Sequence, residues 1–223
     1  MFTSHKNWRI SIVKNNEIIE IAKRLYARNM LAAADGNISV RDNNEIAITP
    51  SSKAKAFIIS SDIARIDIDG RIISGKPSSE FLLHLEIYKR CTKAKAVIHA
   101  HPPHVIAWTI ANPNLRELPN DALPEIILAM GSIPIADFAI PGTDQLAKSI
   151  TPFLPGNRVI ILARHGIVAW GETLAEAMNG VERTEHVAQI LAIAKSLGGA
   201  QPMDRSYIKQ LQKKRIEIGE KTI

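Results

Sequence analysis

Cysteine is almost missing from the sequence: the 223 residues contain one, Cys91. A lone thiol closes no internal disulfide and leaves no cysteine pair for a thiolate zinc site, so a reducing compartment is expected. Glycine and proline number 12 each, which excludes a collagen-like chain, and there is no internal repeat or low-complexity stretch. No apolar run approaches the roughly 18 residues of a membrane span, and the opening MFTSHKNWRI lacks the apolar centre of a secretory signal. A cytoplasmic protein with no membrane partner is the expectation.

What remains is an ordinary globular composition, 46% apolar and 22% charged. No linker divides it, so one domain over residues 1–223 is expected, with a short basic tail from about residue 199. About half of the net charge of +6 lies in that tail, where Lys209, Lys213, Lys214, Arg215 and Lys221 face only Glu217 and Glu220. No nucleic-acid motif accompanies the charge, so a nucleic-acid partner is not expected. A solvated helix or a subunit contact accounts for the tail, and a basic protein suits small anionic substrates.

Apolar spacing of three and four predicts a helix over Asn16 to Met30. Ile38 to Arg41 and Glu45 to Thr49 read as one hairpin, and Ala64 to Ile68 with Arg71 to Ile73 as another. A serine-capped helix is expected over Phe81 to Arg90, then a buried strand Ala96 to Ala100 and a helix His104 to Ile110. Strands Ile133 to Phe138, Val159 to Ala163 and Gly166 to Trp170 follow, with a helix Gln145 to Ile150 between the first two. A long helix, Thr173 to Ser196, starts at a capping threonine with Glu176 three residues on. Strand pairs on short turns with helices between them predict an α/β domain around a mainly antiparallel sheet.

Four segments could carry chemistry. His99 and His101 lie two apart on a strand, so their rings project from one face and could share a divalent ion. His165, within Arg164-His165-Gly166, would complete a three-imidazole site if it converges on them; alone it reads as a turn residue. Ser78, Ser79 and Glu80 stand at a helix start, where hydroxyls and free N–H groups suit a phosphate. There Glu80 is a general base, a labile metal ligand or a residue favoured by the helix dipole. Asn37, Ser39, Ser51 and Ser52, beside Gly36, make either a neutral phosphate cradle or simple turns.

Taken in order, Gly36-Asn37-Ile38-Ser39, Thr49-Pro50-Ser51-Ser52, Ser78-Ser79-Glu80, His99-Ala100-His101 and Arg164-His165-Gly166 resemble the class II aldolase/adducin family over roughly Glu17 to Gly198. The resemblance implies a three-layer α/β/α fold around a central, mainly antiparallel sheet, assembled as a homotetramer with active sites between subunits. It implies Zn²⁺, or another divalent transition metal, on His99, His101 and His165, with Glu80 as the catalytic carboxylate. Asn37, Ser51, Ser52, Ser78 and Ser79 match the family's phosphate-binding positions. The implied activity is lyase cleavage of a phosphorylated ketose, such as L-fuculose 1-phosphate, to dihydroxyacetone phosphate and an aldehyde. Dehydration of methylthioribulose 1-phosphate and sugar-phosphate 4-epimerisation occur in the same family, as does the non-catalytic interaction module of adducin, which lacks the metal ligands.

The sequence also departs from the family. The epimerases carry Asp where Glu80 stands, and Ser52 replaces a glycine. Leu123, with Glu125 nearby, occupies the position of a tyrosine that protonates the aldehyde oxygen, and Pro141 replaces a second aromatic. Tyr207 in the tail is a candidate substitute donor. His104 is expected as a solvated ring at a helix start, and His84, one turn after Glu80 on the same face, as a residue packed behind it.

Overall fold

A computed structural model describes residues 3–219, with side chains from Lys14 onward; Glu220 and Lys221 of the basic tail lie outside the described residues. Helix α1 spans Thr3–Ala27, and the hairpin β1 (Asn37–Asp42) and β2 (Glu45–Ile48) follows, then the hairpin β3 (Ala64–Asp67) and β4 (Ile72–Ser74). Next come α2 (Phe81–Arg90), β5 (Ala96–Ala100), α3 (Pro103–Ala111), α4 (Pro124–Ala129), β6 (Ile135–Ala136) and α5 (Asp144–Ser149). The hairpin β7 (Val159–Leu162) and β8 (Gly166–Gly171) leads into α6 (Leu174–Ser196) and α7 (Arg205–Glu217). The eight strands form one sheet in the order β4-β3-β2-β1-β5-β8-β7-β6, antiparallel throughout except where β6 runs parallel to β7.

Strand alternation separates two cores. Ile38, Ile98, Ala100, Ile167 and Ala169 point to one side, where they meet Ile18, Ala22 and Leu25 of α1 and Val181, Ala188 and Leu191 of α6. Ile46, Val97, Ile160 and Val168 point to the other, against Leu83, Ile87 and Tyr88 of α2 and Leu146 of α5. The expected three-layer α/β/α arrangement is therefore present. By the same alternation His99 faces the α2 side, next to Glu80.

Three local expectations change. Glu80, not a serine, occupies the cap position just before α2, because a turn closed by the Phe81 N–H to Ser78 O bond carries the chain into the helix. The expected strand Ile133 to Phe138 shrinks to Ile135–Ala136, an edge strand that begins after Pro134, which has no N–H to offer a neighbour. The tail, read as a solvated helix or a subunit contact, is a helix that docks on its own chain. The Met203 N–H reaches Asp121 O at 2.9 Å, and Arg215 donates to Leu128 O at 2.8 Å, docking α7 on α4. Thr173 caps α6 as expected, accepting from the Glu176 N–H at 3.1 Å.

Candidate metal centre and substrate cavity

His99 is the last residue but one of β5 and His101 follows the strand, its N–H held by Met30 O at 2.8 Å. His165 sits in the tight turn between β7 and β8, and β8 is the neighbour of β5. Arg164 takes a left-handed φ of 60° there, a conformation that costs an L-residue about 1–2 kcal/mol. The buried Thr109 hydroxyl anchors it by accepting the Arg164 N–H at 2.8 Å. A Cβ on Gly166 would stand 2.3 Å from Ala100 O and 3.1 Å from the His101 ring. Only glycine lets this turn lie against the end of β5, which explains the Arg-His-Gly pattern. Gly36, at φ 70°, likewise admits the loop before β1 to within contact of His99 O.

The three rings converge, with centroids 4.8–5.0 Å apart and one nitrogen of each within 4.8 Å of the others. His99 Nδ1 lies 3.0 Å from Ile167 O, so it carries the proton and leaves Nε2 as a lone pair. His101 Nε2 stands 3.0 Å from that Nε2. Nitrogens about 2.0–2.1 Å from a tetrahedral zinc ion lie about 3.3 Å from each other, so the spacing fits an ion. His165 Nδ1 and Glu80 Oε1 are buried without a hydrogen-bond partner among the described residues. Burial lowers His101 to about 3 and His165 to about 4, against the pull of Glu80. Neutral imidazoles at pH 7 are the ligand form. The donor set therefore fits a divalent transition ion.

Glu80 lies against this cluster, 3.3 Å from His99 Nε2 and 3.4 Å from His165 Nε2. Burial disfavours its charge, but His99, His165 and a 3.0 Å hydrogen bond from Asn37 outweigh that and hold the carboxyl well below the usual range. Behind it runs a buried chain of polar groups. Since Asn37 Nδ2 donates to Glu80, Asn37 Oδ1 must accept from His84 Nε2–H. His84 Nδ1 then accepts from the Ser39 hydroxyl at 2.6 Å, and Ser39 accepts from Tyr88 at 2.8 Å. Burial, chiefly, and His99 hold His84 down at about 3, so it is neutral and this proton order is fixed. The sequence placed His84 behind Glu80 by helix spacing; its link through Asn37 had no signal there.

A cavity of about 580 Å³ opens beside the rings, lined by Asn37, Ser51, Ser52, Ser78, Ser79 and Glu80 together with His101 and His165. Of the sequence-identified site residues, only the deeply buried His99 and Ser39 do not line it, Ser39 being bonded to His84 and Tyr88 instead of facing the cradle. Asn37 has one amide hydrogen left for a ligand once Glu80 is satisfied. Pro141 and Gly142 close one wall, and Lys55, which the sequence reading passed over, closes another. Leu123 and Glu125 line a different cavity with Arg28 and His186. Tyr207 is exposed on α7 and does not line the site. His104, expected to be solvated, instead pairs with the buried Glu185 of α6, Nδ1 to Oε1 at 2.7 Å.

With this geometry in view, the model of the class II aldolase and adducin N-terminal domain matches residues 16–192. The chain belongs to this class II aldolase/adducin family. L-fuculose phosphate aldolase of Methanococcus vannielii is 36% identical over 180 residues, covering 81% of this chain and 96% of that one. The 3-oxo-tetronate 4-phosphate decarboxylase of Escherichia coli K12 is 30% identical over 185 residues, covering 79% and 85%. Among solved structures, an L-fuculose 1-phosphate aldolase superposes with a TM-score of 0.81 at 32% identity, covering 90% of this chain and 95% of that one. The class II aldolase/adducin chain is thus an enzyme of the lyase type, in a family that typically depends on a metal ion.

Proposed function

We propose that this chain is a zinc-dependent aldolase that cleaves a phosphorylated ketose, L-fuculose 1-phosphate being the first to test, to dihydroxyacetone phosphate and an aldehyde. The observation that carries the reading is the convergence of three imidazoles and Glu80 on one wall of a cavity whose other walls bear serine hydroxyls. In this reading His99, His101 and His165 hold the ion, and the adducin-like module without ligands does not apply. Such an ion supplies Lewis-acid polarisation of a substrate carbonyl. Ser51, Ser52, Ser78, Ser79 and the remaining Asn37 N–H bind the phosphate and so fix the reacting carbons. Glu80 exchanges a proton with the carbon next to the carbonyl once the carbon–carbon bond has opened. Asn37 and His84 hold the Glu80 carboxylate in place during that transfer. The enzyme is further proposed to be a single-domain cytoplasmic protein and a homotetramer whose sites lie between subunits.

A second reading is decarboxylation of a phosphorylated 3-oxo acid, which opens a carbon–carbon bond at the same position. Aldol cleavage must take a proton from the substrate hydroxyl that becomes the aldehyde, whereas loss of CO₂ releases no such proton. Leu123 stands in this sequence at the position of the family's tyrosine for that task, which favours this alternative. Zinc-loaded protein is expected to release dihydroxyacetone phosphate from L-fuculose 1-phosphate, and Glu80→Gln to slow it by about 10²–10⁴-fold while retaining zinc. Release of CO₂ from a 3-oxo-tetronate 4-phosphate, with no dihydroxyacetone phosphate from any ketose phosphate, overturns the aldolase in favour of the decarboxylase.

A further inference from the structure

Lys55 opens the short 3-10 turn Lys55–Phe57, is 1% exposed and lines the same cavity as Ser51, Ser52, Ser78 and Ser79. Its ammonium donates to Ala34 O at 2.7 Å and to Lys53 O at 2.9 Å, one carbonyl from each loop flanking the cavity. Both acceptors are neutral. The nearest carboxylates are directed elsewhere, Glu80 to His99 and His165 and Asp35 to His101, and no described carboxylate forms an ion pair with Lys55. A buried charge ordinarily has a counter-charge, because leaving water without one is strongly unfavourable. Of three N–H donors, Lys55 has used two.

We propose that Lys55 is the counter-charge for the phosphate of the bound substrate, supplying the positive charge that the serine hydroxyls lack. A phosphate monoester carries about −1.5 to −2 charges at pH 7, and neutral hydroxyls alone cannot replace its hydration. Among the described residues lining the cavity, Lys55 is the only lysine or arginine. Burial lowers the Lys55 pKa, while Asp35 and Glu80 favour the charged form, and an arriving anion does so further. The two carbonyls fix the ammonium before the ligand arrives, so little side-chain freedom is lost on binding. This inference rests on the phosphorylated-substrate reading above and adds to it the residue that selects for charge.

The test is calorimetric titration of zinc-loaded, full-length protein with inorganic phosphate. Lys55→Gln keeps N–H donors for the two carbonyls and removes the charge. It is expected to weaken phosphate at least about tenfold and to raise KM for the phosphorylated ketose similarly, with a smaller change in kcat and unchanged zinc content. Lys55→Arg, which keeps the charge, is expected to bind phosphate more tightly than Lys55→Gln. Equal phosphate affinity in Lys55→Gln and the parent overturns the proposal. A measurement on the parent protein does not depend on any variant folding: NMR of ¹⁵N-lysine-labelled protein should show a protected Nζ resonance that shifts with phosphate. No shift at saturation overturns it. Absence of phosphate binding in the parent also overturns it while leaving zinc-dependent cleavage intact. Phosphate bound through Lys55 without any carbon–carbon cleavage refutes the lyase reading and retains this one.

Discussion

Two groups of histidines in this protein differ in what their neighbours provide. His104 finds all it needs within the fold: the Glu185 carboxylate meets its Nδ1 and also accepts the backbone N–H groups of His104 at 3.1 Å and Val105 at 3.2 Å. Glu185 thereby satisfies the orphan donors that open α3. His99, His101 and His165 are brought together without such an arrangement, two Nε2 atoms facing each other at 3.0 Å and one Nδ1 left with no partner. A polar group buried for structural reasons is ordinarily completed by the protein itself. A cluster left incomplete in the interior is completed by something that binds. The contrast separates a structural imidazole from a metal-binding one more sharply than residue type or burial does.

The strongest way to break this comparison is to remove one of the converging rings. His165→Ala keeps the hairpin, because Gly166 and the Thr109 anchor set the turn, and deletes one ligand. Loss of an outer partner of a metal ligand costs about 10–100-fold in metal affinity, so loss of a ligand itself should exceed about 100-fold. Zinc measured on the dialysed variant should fall from about one ion per chain to near none, and cleavage should fall with it. Full zinc occupancy in His165→Ala would place the ion elsewhere and dissolve the contrast.

The paired histidines His99 and His101 were legible because strand alternation is local: a period of two puts both rings on one face. The helices Phe81–Arg90 and Thr173–Ser196 and the two early hairpins were legible for the same reason, that apolar period and turn residues act over a few positions. His165 could be joined to the pair only through resemblance, since its approach depends on β8 lying beside β5. Contacts between distant polar side chains left no trace in the spacing. His104 and Glu185 are 81 positions apart, and Ser39 and His84 are 45. Lys55 was invisible for a related reason: a lysine in a polar loop reads as solvated, and only the cavity shows that it is not. Helix α4 and the docking of α7 on it were missed because Pro124–Ala129 is too short for a periodic signal.

A smaller effect sharpens the comparison through the buried chain behind Glu80. His84 is fully buried and neutral, with a pKa near 3, against about 6.5 in an unfolded chain. Below pH 6.5 the unfolded state therefore binds a proton that the folded state refuses, and stability falls as pH drops from 6.5 toward 3. At about 1.4 kcal/mol per pH unit, this one ring removes about 2 kcal/mol by pH 5. His84→Gln keeps a donor for Asn37 Oδ1 and cannot take up that proton. Its loss of stability between pH 7 and pH 5, measured by denaturant titration, should be smaller than the parent's by about that amount. An identical loss in both proteins would show that His84 is not held neutral.

The smallest expected effect on zinc and rate belongs to the completed pair, and it is the control that the comparison requires. Glu185→Ala leaves the first N–H groups of α3 without an acceptor and removes the partner of His104. A lost helix cap and a lost charged hydrogen bond together cost about 2 kcal/mol. His104→Ala removes only a ring that is 40% exposed, so water screens most of what it contributes, and less than about 1 kcal/mol is expected. Both variants should keep one zinc ion per chain and the parent kcat, since neither residue touches the three rings or lines their cavity. If His104→Ala sheds zinc, the pairing with Glu185 is not the whole of its role, and being satisfied within the fold ceases to mark a histidine as structural.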